Sequence, residues 1–370
     1  MTVARLYEPT RRTGFDLWLV VAPLLAAGLG TVMVYTATRT ASGVYYAERQ
    51  AGFCVIGIIV MAIFSILDYH RLEQVATAAY VAILLGLVAV MGMGSSALGA
   101  SRWISLGPIQ VQPSEFAILG LILAVATYCA RRPDGLGWRD LSRILLMAGA
   151  PMGLVFLQPD FGTAIIMAVV LLVLLIAAGV PLRIVGLLLL AAVLAVVAAV
   201  EFGVLKQYQV LRFTAFLHQN SADPSIQQYI YNVQQSKDAI GTGGLFGTGI
   251  GRGTVTNLQY VPEQQTDFIF SAIGEQLGFV GSVAMLALLG SIAWRVLVTA
   301  VNARDVLGRL LAAGIFAFFA FSIFQNAGMA TGIMPVAGIP LPFVSYGGSA
   351  IVCFFAACGV ANSIARRRGV

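Results

Sequence analysis

Ten stretches of this sequence are almost wholly apolar and long enough to cross a bilayer, which constrains the fold more than any other feature. They run at about 16–37, 48–67, 72–92, 113–131, 142–158, 161–180, 184–204, 268–299, 308–330 and 345–365. A span takes roughly 20 residues. Inside hydrocarbon the backbone must satisfy its own hydrogen bonds, which leaves helices or closed barrels. These runs are continuous rather than alternating, so barrel strands are excluded. The expectation is an all-α polytopic membrane protein with ten transmembrane helices in one domain over residues 1–370. Charged residues are only 10% of the chain, against about 25% in soluble domains.

The polar interruption at 204–267 is the large loop between the seventh and eighth spans. It holds both lysines, Lys206 and Lys237, and a tract from Gly241 to Gly253 rich in glycine. Gly-x-Gly spacing there is a weak phosphate signal, because no strand precedes it and no Gly-Lys-Ser/Thr follows. A flexible or tightly turned loop is the plainer reading, and a backbone nest for pyrophosphate the alternative. Ile226–Ile240 reads as a short amphipathic helix on the membrane surface. Gln158-Pro159-Asp160 alone separates the fifth and sixth spans, predicting a tight helical hairpin.

Basic residues set the orientation. With the N-terminus in the cytoplasm, 15 of the 22 Lys and Arg fall on the inner side and 7 on the outer side. Both termini are then cytoplasmic and the large loop is extracytoplasmic. The net charge of +6 follows this helix-end pattern, which argues against nucleic acid as a partner. A polar head through Asp16 precedes the first span, so no cleavable signal peptide is expected. Cys54, Cys129, Cys353 and Cys358 lie in apolar runs without metal-type spacing and read as packing residues.

Three carboxylates sit where an outer loop enters a span: Glu115, Asp160 and Asp267. Two readings stand. They cap helix N-termini, or, with Arg49 and Arg102, they line a polar cavity open to the outside, since ionisable groups at membrane depth mark function. A helix N-terminus would lower the Asp267 pKa and burial would raise it. Trp103 is either an interfacial anchor or a stacking platform for a sugar. His70 and His218 show no partner spacing. Pro335–Pro342 cannot be regular helix, and Ser345-Tyr-Gly-Gly-Ser349 restarts the last span.

The motifs Arg102-Trp-Ile-Ser-Leu-Gly-Pro108, Gln112-Pro-Ser-Glu-Phe116, Gln158-Pro-Asp-Phe-Gly-Thr163, Gln235-Ser236, Pro262-Glu-Gln-Gln-Thr-Asp-Phe-Ile-Phe270 and Pro335 through Ser349 occur in order. Together they resemble the bacterial shape, elongation, division and sporulation (SEDS) family over essentially the whole chain. The resemblance implies a peptidoglycan glycosyltransferase of the cytoplasmic membrane, active on its extracytoplasmic face. It would polymerise lipid II beside a class B penicillin-binding protein within the elongation machinery. The compact chain favours the elongation branch over the division branch. By position Asp267 matches the family's essential aspartate, and Trp103, Glu115 and Asp160 fall on other important motif positions. Gln112, Ser114, Glu263, Thr266 and Ser345 belong to the same motifs. Two departures stand out: Ile118 replaces the family's Lys, so Glu115 either is neutral or needs another partner, for which Arg102 or Arg49 is suggested, and Gln276 replaces a Glu.

The chemistry this implies is an inverting displacement with Asp267 as general base. Arg49, Arg102, Lys237 or a divalent cation such as magnesium or manganese would stabilise the departing pyrophosphate. The competing classes are a lipid II flippase, which also uses intramembrane charges and broken helices, and a non-catalytic scaffold.

Overall fold

The computed structural model describes residues 14–93, 95–97, 100–106, 109–132, 135–203, 207–221 and 223–367, with the backbone alone at 93, 95–97, 100–102, 105, 106, 109 and 208. Among them, nine helices are long and apolar enough to cross a membrane. These are α1 (Trp18–Ser42), α2 (Tyr45–Ile66), α3 (His70–Met93), α4 (Pro113–Ala130), α5 (Trp138–Leu157), α7 (Leu182–Glu201), α11 (Ile269–Val301), α12 (Val306–Ala330) and α13 (Gly348–Arg366). The tenth expected span is α6 (Phe161–Ala177), whose 17 residues lie at the short limit for crossing. The chain is a multi-pass membrane protein.

Side-chain bonds show which helix ends lie together. Arg295 pairs with Asp16, Asp16 N donates to Asn362 Oδ1 (2.9 Å), Arg131 pairs with Glu73 (2.8 Å), and His70 meets Asp305 (3.0 Å). The opposite end of the bundle gathers the connections at 93–112, 158–160, 202–268 and 331–347, and is called the loop end below. The described residues of the motifs singled out above lie there.

Helices α4, α12 and α13 are mostly buried, while α7 presents nearly its whole length outward. A cluster of buried rings fills the centre, with Phe318 stacked on Phe354 at 4.8 Å. Helix α13 meets α2 backbone to backbone: a Cβ on Gly359 would lie 2.6 Å from Met61 O. Small residues allow such approach between helices in lipid, where packing replaces the hydrophobic drive.

Three short helices build the large connection: α8 (Gln207–Leu217), α9 (Pro224–Thr242) and α10 (Thr254–Asn257). Helix α9 begins with a standard signal, Asp223 accepting from Ser225 N (2.9 Å) and Pro224 at the first position. It is the amphipathic helix expected at Ile226–Ile240, but it docks on the bundle. Ile226, Ile230, Ser236 and Ala239 are buried, and Ser236 Oγ donates to Ala330 O at 2.7 Å. A small antiparallel meander, β1 (Ser95–Ala97), β2 (Ala100–Leu106) and β3 (Ile109–Val111), departs from the all-helical expectation in the 93–112 connection. Helix α11 is broken at Gly278, whose φ of 68° and ψ of −167° no ordinary helical residue adopts.

Candidate active site

Asp267 lies in a turn rather than in a first helical turn, because α11 begins only at Ile269. Glu263 O accepts from Thr266 N (3.2 Å) and Asp267 N (3.1 Å) and closes that turn. Three further residues fix it against the segment around Pro335–Pro342. Ser345 Oγ donates to Thr266 O (2.6 Å), Tyr346 N donates to Gln265 O (2.8 Å), and Asn326 Nδ2 donates to both Asp267 O (2.9 Å) and Ile339 O (2.8 Å). The Asp267 side chain is half-buried. A Cβ built on Gly338 would stand 3.4 Å from its Oδ2. The result is a half-buried aspartate whose turn is held by Ser345, Tyr346 and Asn326.

A second cluster lies across the same segment. Asp160, at the start of α6, is buried, and its Oδ2 accepts from Ser114 Oγ (2.8 Å), Thr163 Oγ1 (3.0 Å) and Gln112 Nε2 (3.1 Å). It stands at the N-cap position of α6, but its side chain makes no capping bond to the backbone there. Gln112 N also donates to Ser349 Oγ at the start of α13 (2.9 Å). Glu115 is buried within electrostatic reach of Asp160. Gly162 packs so closely on Ala337 O that a Cβ there would clash. The start of α6 and the Asp267 turn thus both pack on one irregular strip of backbone, at Ala337–Ile339 and Gly338.

The remaining expected residues are spread around this pair. Arg49 lies over the Tyr45 ring (5.3 Å) and bonds its hydroxyl. Glu115 makes no ion pair among the described residues, so the expected Arg49 partnership is not formed, and Ile118 is fully buried. The Arg102 side chain lies outside the described residues, and Trp103 is half-buried in β2. Lys237 Nζ donates to Gln219 Oε1 (3.0 Å) beside Gly332. Glu263 is exposed and contributes its main chain.

Among the described residues no three His, Cys, Asp or Glu side chains converge as a metal cage. A magnesium or manganese ion here would rest on one or two carboxylates and on phosphate oxygens of a bound ligand, a common arrangement for magnesium.

Reading the sequence by motif missed Asn326 and Gln264. Gln264 Nε2 donates to Ala37 O (2.6 Å) and Thr256 O (2.9 Å), tying the Asp267 turn to α1. The available signal was a polar side chain inside an apolar helix for Asn326. The role of Glu275 was equally hidden: wholly buried, it accepts from Val255 N and Thr256 N (2.8 Å each) and fastens α10 to α11.

Comparison with known proteins shows the family. The profile of the FtsW, RodA and SpoVE group, described as cell cycle protein, matches residues 16–369. The chain belongs to the FtsW/RodA/SpoVE family. It is 35% identical to the probable peptidoglycan glycosyltransferase FtsW of Geobacter sp. (strain M18), over 96% of this chain and 98% of that one. It is also 35% identical to the peptidoglycan glycosyltransferase MrdB of Escherichia coli (strain K12), over 98% and 97%. One solved family structure, a chain from work on structural coordination of polymerization and crosslinking by a peptidoglycan synthase complex, superposes with a TM-score of 0.82. That likeness covers 96% of this chain and 98% of that chain at 31% identity.

Proposed function

We propose that this chain is a peptidoglycan glycosyltransferase that polymerises lipid II, with Asp267 as its general base. One observation carries the assignment to Asp267: the residue is half-buried at the loop end while the main chain around it is fixed by Ser345, Asn326 and the Glu263 turn. A base placed in this way meets the need for a positioned proton acceptor. Its carboxylate takes the proton of the acceptor 4-hydroxyl as that oxygen attacks C1 of the donor sugar. The C1–O bond to the polyprenyl pyrophosphate breaks on the opposite face, and the configuration inverts. The Asp160 cluster holds the wall across from Asp267. Arg49, Arg102 and Lys237 are the cations assigned to pyrophosphate.

The loop end is assigned to the extracytoplasmic face of the bacterial cytoplasmic membrane, supported by the distribution of Lys and Arg. A class B penicillin-binding protein is the proposed partner, supported by the likeness to a chain of a synthase complex. A role in elongation is supported by the likeness to the solved rod shape determining protein RodA of Thermus thermophilus.

The test is polymerisation of purified lipid II by the wild type and by Asp267→Ala, with and without the partner, resolved on gels. Polymer from wild type alone, with the variant folded, supports the reading. Polymer from the variant overturns the assignment of Asp267, and no polymer under any condition favours lipid translocation. A parallel reaction in EDTA decides whether a divalent cation takes part.

A further inference from the structure

The glycine tract turns two large apolar side chains outward. Leu245 is 64% and Phe246 80% exposed. No residue from Gly241 through Gly251 is charged. The tip is rigidly held against the break in α11. Phe279 N donates to Gly244 O (2.9 Å), Val280 N to Leu245 O (3.0 Å), Thr248 N to Glu275 O (2.9 Å) and Gly249 N to Gln276 O (3.0 Å). These bonds satisfy both the loop and the helix that Gly278 interrupts. Backbone satisfied in this way is what irregular structure at membrane depth requires.

The depth of the tip follows from α11. Beyond the break its outward face carries Phe279 (64% exposed), Val280 and Val283, and further on Trp294 next to the Asp16–Arg295 pair. A tryptophan beside an ion pair is characteristic of an interface. From Phe279 to Trp294 the helix rises about 22 Å, less than the roughly 30 Å of bilayer hydrocarbon. Phe279 therefore lies at or inside the loop-end boundary of the acyl chains. Leu245 and Phe246 are bonded beside it and continue the lipid-facing surface of α11.

We propose that Gly241–Gly251 is a re-entrant lipid anchor, with Leu245 and Phe246 inserted among the acyl chains of the leaflet at the loop end. The occupant is membrane phospholipid. The anchor does not rest on the glycosyltransferase reading. It fixes the depth of the first part of α11 and of the Asp267 turn that leads into it.

The test is nitroxide labelling of Leu245→Cys and Phe246→Cys in the full chain, reconstituted without partner in phosphatidylethanolamine–phosphatidylglycerol vesicles. The four native cysteines are buried, and unsubstituted protein gives the labelling background. Val283→Cys serves as the lipid reference and Gln228→Cys, exposed on α9, as the water reference. Power-saturation EPR is expected to show oxygen collisions exceeding those of the water-soluble nickel complex at both tip sites, as at residue 283. Nickel exceeding oxygen, as at residue 228, would place the tip in water and overturn the proposal. Low access to both reagents would mean a protein contact and would equally overturn it.

Discussion

Ser345 Oγ donates to Thr266 O at 2.6 Å and accepts from Leu341 N at 2.8 Å. One hydroxyl thus joins the irregular strip to the residue before Asp267. Ser345→Ala leaves a buried donor and acceptor without this bridge, and each such group costs about 1–3 kcal/mol. The expected result is a fall in kcat for lipid II polymerisation with little change in KM. Ser345→Thr, which keeps the hydroxyl, restores part of the rate.

Gly338 has a φ of +70° and faces Asp267 Oδ2. Gly338→Ala forces an ordinary residue into left-handed backbone, at about 1–2 kcal/mol, and fills space beside the carboxylate. Gly179, with a φ of +85° and no atom near its Cβ direction, is the control. Both alanine variants should lose similar thermostability, while only Gly338→Ala loses turnover beyond its folded fraction.

Asp160→Ala removes the shared acceptor of Ser114, Thr163 and Gln112. The two hydroxyls are buried, so the loss is expected at about 1–3 kcal/mol per orphaned group. A clear drop in the unfolding midpoint of the detergent-solubilised protein would register it. An unchanged midpoint would show that the cluster does not hold α4 to α6.

At the other end of the bundle His70 bridges Asp68 (2.8 Å) and Asp305 (3.0 Å). Burial raises both carboxyl pKa values, but at Asp68 the His70 backbone and ring with Arg367 outweigh it. At Asp305 the bonds from Gly308 N, Tyr69 and His70 do the same, and both groups end below the usual carboxylate value. A carboxyl depressed on folding adds stability that is complete above its unfolded pKa of about 4 and lost as pH falls through the folded value. Thermostability should therefore decline between about pH 5 and pH 3. The double variant Asp68→Asn/Asp305→Asn should flatten that decline in a fluorimetric melt.

The spans were legible because hydrocarbon leaves a chain little choice. Runs such as Leu182–Glu201 can bury their backbone polar groups only as helix. The order of the motifs and the position of Asp267 at a polar-to-apolar junction were legible for the same reason. The meander at 93–112 was not: its strands run three to seven residues, too short for periodicity to stand out. The expected Arg49–Glu115 pair could not be checked by sequence, because spacing along two different helices says nothing of which faces meet.

By itself, the sequence determined a polytopic helical membrane protein and collected its polar motifs at one end of the bundle. Only the tertiary structure decided how those motifs meet. It put Asp160 under three side-chain donors, set Asp267 in a turn fastened by Ser345 and Asn326, and wound the glycine tract into the break at Gly278. Span formation is a local choice between backbone and lipid. These contacts depend on close packing between residues far apart in the chain, such as Thr266 with Ser345.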